Sequence, residues 1–432
     1  MRSPSSRSRG RPPRLRGFVG AASLVAIALL APTVLVAPAT PLAGREAALP
    51  LTAAVLGARA TDATPPPTSP PAPSRSSAAS PAASQHVGGA GSAGEPIDAW
   101  QPAADARPAR LLEAALDAAL LAIEAPGASV AVARDAELVW AGAAGTAPDG
   151  TPITLETPLV IGSITKTFVA ALILQLVEEG RLRLDDPLAT YLPELELAGV
   201  DVITLRQLLN HTSGLADVFN DTTRVALEVT PDRAWDAGEL LAALHEPWYA
   251  PGEDYAYANT NYLLLTLVAE RVTGFSLEQL LADRLTEPLG LEATRLIGPE
   301  GAAPARDEPL SAAWATIFRG SGAMVSTASD LARWGDALYG GSVLLSRTRA
   351  EMLDFNGHNY GLGVQRLEVA DRDGYGHTGL LDRYTGMVLH LPADEVTVAL
   401  IIDTDHADLR GLLTHGAADG DSLLELATES GG

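Results

Sequence analysis

Two strand-forming runs lie near one end of the region rich in apolar periodicity and two near the other, and this separation constrains the fold more than any other feature of the chain. "ASVAVAR" (Ala128 to Arg134) and "ELVWAG" (Glu137 to Gly142) form a pair joined at Asp135-Ala136, read as a tight hairpin. "MVLHLP" (Met387 to Pro392) and "VTVALIID" (Val396 to Asp403) form the other. The roughly 250 residues between the pairs carry a mostly helical pattern. The expectation is one antiparallel sheet assembled from both ends of a domain, flanked by helices, with a large helical insertion: an α/β (α+β) fold.

The helices announce themselves locally. "ARLLEAALDAALLAIEA" (Ala109 to Ala125) sets Leu112, Ala115, Leu116, Ala119 and Leu120 on one face, and Pro126-Gly127 ends it. "TLRQLLNHTSG" (Thr204 to Gly214) opens on a capping Thr and stops at Gly, and "STASDLARWGDALYG" (Ser326 to Gly340) shows a capping-box pattern, Thr327 followed by Asp330. "DRDG" (Asp371 to Gly374) reads as a hairpin turn.

Ahead of the domain, the first 16 residues carry six arginines and no acid, followed by the apolar run Phe18 to Ala31. An A-x-A-like pattern at Ala37-Pro38-Ala39 completes a secretory signal peptide, residues 1–39. The run is shorter than the ~20 residues a spanning helix needs, so a secreted protein without stable membrane insertion is expected. Residues 40–104, with "TPPPTSPPAPSRSSAASPAAS", lack large apolar side chains and read as a disordered linker. The domain is placed at 105–405, with a C-terminal helix or tail at 406–432. The chain has no cysteine, which rules out disulfides, a thiol nucleophile and Cys-ligated metals. Loss of the six leader arginines takes the basic count from 30 to 24 against 53 acids, a net charge near −29 that repels nucleic acid.

The chemistry concentrates in three triplets. In "SITKTFVAALILQLVEEG" a helix apolar on nearly all faces starts at Ser163, and Lys166, the only lysine in the chain, stands three residues on and on the same side. Burial and the positive helix end both disfavour the charged amine, so its pKa is expected to fall, leaving a neutral base able to take the serine proton. Arginine could not do this. Tyr257-Ala258-Asn259 precedes a second apolar helix, and offers a phenol to relay protons and an amide to bind a carbonyl and fix the lysine. His377-Thr378-Gly379, in "GYGHTGLLDRY", reads as an edge strand. There His377 and Thr378 would offer donors to a carboxylate, and Gly379 would let a ligand backbone approach. His377 and Arg383 are the candidates for local positive charge. "DTDHAD" (Asp403 to Asp408) reads as a solvated turn rather than a metal site.

In this order the triplets resemble the serine penicillin-recognising enzymes: D-alanyl-D-alanine carboxypeptidases, class C β-lactamases and related esterases. The resemblance covers about residues 108 to 405 and includes "LLNHTSGL" and "GAMVSTASDLARW". It implies the β-lactamase/transpeptidase-like fold with a helical subdomain. It implies Ser163 as nucleophile, Lys166 as base, Tyr257 as proton relay and Asn259 as substrate and lysine ligand. His377, Thr378 and Gly379 would line the edge strand, and the backbone N–H groups of Ser163 and Leu380 would form the oxyanion hole. Many members have lysine where this chain has His377, and the H-T-G form looks like secreted D-Ala-D-Ala carboxypeptidases. The expected function is therefore a monomeric serine D-Ala-D-Ala carboxypeptidase acting on a peptide or small acyl substrate, without cofactor or metal. The alternatives are an esterase of the same fold, a weak β-lactamase, and a catalytically silent cell-wall peptide-binding protein.

Overall fold

The structure, a computed structural model, describes residues 106–135, 137–147, 149–298, 310–355, 357–404, 407–416 and 420–429. The segments read as leader and linker, the turn residue Ala136 and part of "DTDHAD" lie outside the described residues.

Strands from both ends of the domain do meet in one sheet. In chain order they are β1 (Gly127–Arg134), β2 (Glu137–Gly145), β6 (Gln365–Val369), β7 (Arg372–Leu381), β8 (Tyr384–Leu391) and β9 (Val396–Ile402). A second, three-stranded sheet is built from β3 (Leu159–Val160), β4 (Arg295–Leu296) and β5 (Met324–Ser326). The large sheet runs β2-β1-β9-β8-β7-β6, and its neighbours are antiparallel throughout. The join is the β1–β9 pairing, from Ala128 opposite Ile402 to Ala133 opposite Thr397.

Both faces of the sheet are covered, which is why β9 reads as a continuous apolar run rather than an alternating one. Val396, Val398, Leu400 and Ile402 point to one side, with Val130 and Val132, and pack with Leu112, Leu116 and Leu120 of the helix Ala106–Ala122. The short helices Leu409–Thr414 and Leu423–Glu429 pack into this same layer through Leu412, Leu413, Leu423 and Leu424. The intervening residues Ala399 and Ile401 face the other way, with Ala131 and Ala133, toward the helices Thr165–Glu178 and Ala328–Gly340. Those two helices are tied together where Phe168 stacks on Trp334 at 3.9 Å and the Trp334 indole N–H donates to Thr167 Oγ1 at 2.8 Å.

The local helix signals hold with one correction. Thr204 makes a full capping box with Gln207 on the helix Leu205–Leu209. Thr327 accepts from the N–H of Asp330, but the Asp330 carboxylate does not return the bond: it accepts from the N–H of Ala293 and the hydroxyl of Thr294. Half of the expected box is thus diverted to fasten β4 to the helix start. The expected turn at Asp371 to Gly374 also moves, because Ala370 and Asp371 take φ of 50° and 60° and Arg372 onward is already β7. Two consecutive positive-φ residues make the tight hairpin.

The small sheet brings the reactive segments together. β3 leads into Ile161-Gly162-Ser163, the Ile161 N–H donates to the carbonyl of Met324 in β5 at 3.0 Å, and Ser321 lies just ahead of β5.

Candidate active site

Ser163 sits in a single 3-10 turn, Gly162–Ile164, that feeds directly into the buried helix Thr165–Glu178. From Ile161 to Ala170 it is the only residue that is not buried. Three residues on, Lys166 is fully buried, and its Nζ reaches Ser163 Oγ at 3.0 Å, Asn259 Oδ1 at 2.8 Å and the carbonyl of Ser321 at 2.7 Å. Three acceptors match the three hydrogens of an ammonium. A neutral amine keeps two of those bonds and turns its lone pair to the third partner. Burial brings the Lys166 pKa down to about 7, against an opposing pull from the Asp217 carboxylate.

Asn259 opens the helix Asn259–Thr273, and its amide is oriented from behind. Its backbone N–H donates to Asp217 Oδ1 at 3.0 Å and its Nδ2 to Asp217 Oδ2 at 3.1 Å, so Oδ1 must face the lysine. Tyr257 lies beside it, with its ring centroid 4.7 Å from Lys166 Nζ. Burial pushes the phenol well above its usual pKa, and the nearby Ser163 hydroxyl pulls the other way. The Tyr257 hydroxyl is buried and, among the described residues, has no polar partner but the Ser163 hydroxyl, with which it does not reach full hydrogen-bond geometry.

The Tyr257–Asn259 turn is held by His211. This residue adopts φ of 60°, is fully buried, and its Nδ1 receives the N–H of Ala258 at 3.2 Å and Nδ2 of Asn261 at 3.0 Å. Accepting at Nδ1 places the proton on Nε2, and burial holds the ring neutral, with Lys166 and His377 adding to that effect. The Tyr257 ring lies over it at 4.2 Å.

The third triplet is where expectation and structure part. β7 is an interior strand, but β6 begins only at Gln365, opposite Gly376, so His377 to Leu381 pair with β8 alone and form a free edge within it. His377 does not offer a donor there. It is fully buried, its Nε2 meets the Tyr360 hydroxyl at 2.8 Å and its Nδ1 the Thr378 carbonyl, and burial brings its pKa down to about 3. Thr378 is also committed: its N–H and hydroxyl both donate to Gln365 Oε1 at 3.0 Å. The close approach at Gly379 is real, but the neighbour is the chain's own backbone, since a Cβ there would fall 2.0 Å from the Ile161 carbonyl oxygen. Leu380 N lies 2.8 Å from where a Cβ on Gly162 would be, which brings the Leu380 N–H beside Ser163. Arg383 is ion-paired with the buried Asp403 at 3.1 Å. Asp217, His211, Tyr360 and Gln365 were not among the residues expected from the sequence, and of these only His211 lies in a stretch singled out there, "LLNHTSGL".

A family model described as Beta-lactamase matches residues 110–420. The chain belongs to the beta-lactamase family. Among curated proteins, this family member is 31% identical over 315 residues to penicillin-binding protein 4 of Amycolatopsis lactamdurans, covering 64% of this chain and 80% of the relative. It is 35% identical over 177 residues to D-aminopeptidase of Brucella anthropi, where the match covers 40% of this chain and 33% of the relative's length. Among solved structures, a D-stereospecific amidohydrolase from Streptomyces sp. superposes with a TM-score of 0.61 at 29% identity, covering 72% of this chain and 98% of that one. The protein is a serine hydrolase of the β-lactamase and penicillin-binding fold. Among the described residues no group of three or more His, Asp or Glu side chains is placed to hold a metal ion, and no helix is long and apolar enough to cross a membrane.

Proposed function

We propose that the protein cleaves an amide or peptide bond next to a D-configured residue through an acyl-enzyme on Ser163. The observation that carries this reading is the set of three acceptors around Lys166 Nζ, one of them Ser163 Oγ. Neutral Lys166 takes the hydroxyl proton as Ser163 Oγ bonds to the carbonyl carbon. The N–H groups of Ser163 and Leu380 receive the developing oxyanion. The carbon–nitrogen bond then breaks, and the leaving amine takes its proton from Lys166 by way of the Tyr257 hydroxyl. Water repeats the sequence in reverse roles and frees Ser163.

The substrate reading leans on the D-aminopeptidase and D-stereospecific amidohydrolase relatives. It also leans on the carboxylate end of the site, where His377 is neutral and Arg383 is taken up by Asp403. A D-Ala-D-Ala carboxypeptidase must bind a substrate carboxylate, and neither candidate presents a cation to it. That carboxypeptidase is the second reading, favoured by the match to a penicillin-binding protein. We also propose that the protein acts outside the cytoplasm, on the strength of the leader read at 1–39.

The test compares wild type with Ser163→Ala and Lys166→Arg. An activated ester or fluorescent penicillin should label wild type covalently and neither variant, because a guanidinium cannot take the serine proton. Labelling of Ser163→Ala would overturn the nucleophile. Release of D-alanine from an acyl-D-Ala-D-Ala peptide, faster than hydrolysis of D-amino-acid amides, would select the second reading.

A further inference from the structure

One carboxylate beside the reactive atoms has no part in the acyl-transfer steps. Asp217 Oδ1 accepts the N–H groups of Phe219 and Asn259 at 3.1 and 3.0 Å, while among the described residues Oδ2 accepts only Asn259 Nδ2, at 3.1 Å. Two carboxylate oxygens have about four acceptor positions, so one remains, on Oδ2. The residue is mostly enclosed yet keeps some exposure. Burial raises its pKa, and its hydrogen bonds and Lys166 pull it back.

Among the described residues the charges around it are few. Lys166 is the cation that faces Asp217. Lys166 in turn sits over the rings of Tyr257 and Tyr262, both neutral phenols, and near His211 and His377, both buried and neutral. When Lys166 gives up its proton to act as base, this corner is left with a bare carboxylate. The acyl carbonyl must lie on Ser163 Oγ, 3.0 Å from Lys166 Nζ, which is itself 2.8 Å from the amide that Asp217 holds. A nitrogen on the α-carbon of the acyl group is two bonds from that carbonyl carbon, on the reactive side of the Asn259 amide, and Asp217, whose charge acts on Lys166, is the carboxylate that backs that amide.

We propose that Asp217 receives the α-ammonium of the residue whose carbonyl Ser163 attacks, so that the enzyme selects substrates with a free amino group beside the scissile bond over N-acylated ones. This rests on the acyl-enzyme reading above and names its substrate class: amino-acid amides and esters, and the N-terminal residue of a peptide. A bound ammonium also offsets the anion that holds the proton on Lys166. Substrate binding thereby favours the neutral base.

Phe219, two residues after Asp217, packs its ring with those of Trp314 and Phe318, centroids 5.1 to 6.3 Å apart, and this suggests phenylalanine as the probe. The experiment measures kcat/KM for D-phenylalanine methyl ester and its N-acetyl derivative by product chromatography, on wild type, Asp217→Asn and Asp217→Glu. Wild type should prefer the free amine, and Asp217→Asn should cut that preference about tenfold or more, as loss of a charge-assisted hydrogen bond does. Asp217→Glu should keep most of it. The free-amine rate on wild type should fall above about pH 8, where an α-amino group loses its proton, and the acetylated rate should not. The pH measurement needs no variant and stands if Asp217→Asn fails to fold. No preference in wild type, or a parallel fall of both substrates in Asp217→Asn, would overturn the proposal and leave Asp217 as a support for Asn259. Hydrolysis of both esters by Ser163→Ala would instead sink the acyl-enzyme reading.

Discussion

The Nε2 of His377 lies 2.8 Å from the Tyr360 hydroxyl, in a position where both side chains are buried. A ring held neutral by burial down to about pH 3 contributes no ionisation in the working range. The group that does titrate there is Lys166, near 7. Because only its neutral form is a base, kcat/KM should rise with pH through about 7. His377→Gln should leave that limb in place, within about half a unit, since a neutral neighbour exerts no net charge on the amine. A pH profile whose limb vanishes in His377→Gln would assign the titration to the wrong residue.

Tyr257 carries a different trade. Among the described residues its buried hydroxyl has no polar partner but the Ser163 hydroxyl, too poorly aligned to close a full hydrogen bond, and a buried group so weakly satisfied costs roughly 1–3 kcal/mol of desolvation. Tyr257→Phe should therefore fold as stably as wild type, or about 1 kcal/mol more so, while kcat falls on the order of 10²- to 10⁴-fold for want of the relay. Urea denaturation beside steady-state kinetics checks both halves. A loss of stability would mean the hydroxyl is structural.

Arg383 should prove structural. Its partner Asp403 is fully buried, and removing one member of such a pair strands the other. Arg383→Ala should cost about 3 kcal/mol, and Arg383→Ala combined with Asp403→Asn should recover part of it. The ratio of KM values for carboxylate-ended and amide-ended substrates should not move. A selective rise for the carboxylate would restore Arg383 as its anchor.

At Gly379 even a methyl group is too much. It would stand 2.0 Å from the Ile161 carbonyl, two residues before Ser163, so Gly379→Ala should cost about 1–3 kcal/mol and displace the nucleophile turn. Gly340→Ala is the control, because a Cβ there meets nothing within 4 Å. Thermal unfolding of the pair should separate them, and equal melting temperatures would show that the β7 edge yields easily.

What could be read ahead of the structure was what depends on neighbours in sequence. Ser163 and Lys166 meet because a helical turn puts them together, and Thr204 and Gln207 cap for the same reason. The outer strands were legible from their apolar runs. The state of His377 was not, because it depends on Tyr360 and on a sheet register that turns the ring inward. Asp217 was invisible because Asn259, which gives it meaning, is 42 residues away. That β7 is an interior strand with an edge only from His377 onward was hidden because "QRLEV" is short and half polar, so nothing marked β6 as a strand that starts opposite Gly376.

The β1–β9 pairing also governs how this enzyme comes into being. Ala128 and Ile402, about 270 residues apart, are partners, so the hairpin of β1 and β2 has no neighbour until nearly the whole chain has been made. A lone hairpin is marginal in water, and contacts this distant in sequence form slowly. A chain halted before Val396 would hold Ser163, Lys166, Tyr257, Asn259 and His377 and still lack the strand that joins the sheet. Until that strand arrives, β1 and β2 belong to no sheet, and the side chains of the site stand on a domain whose two ends are not yet joined.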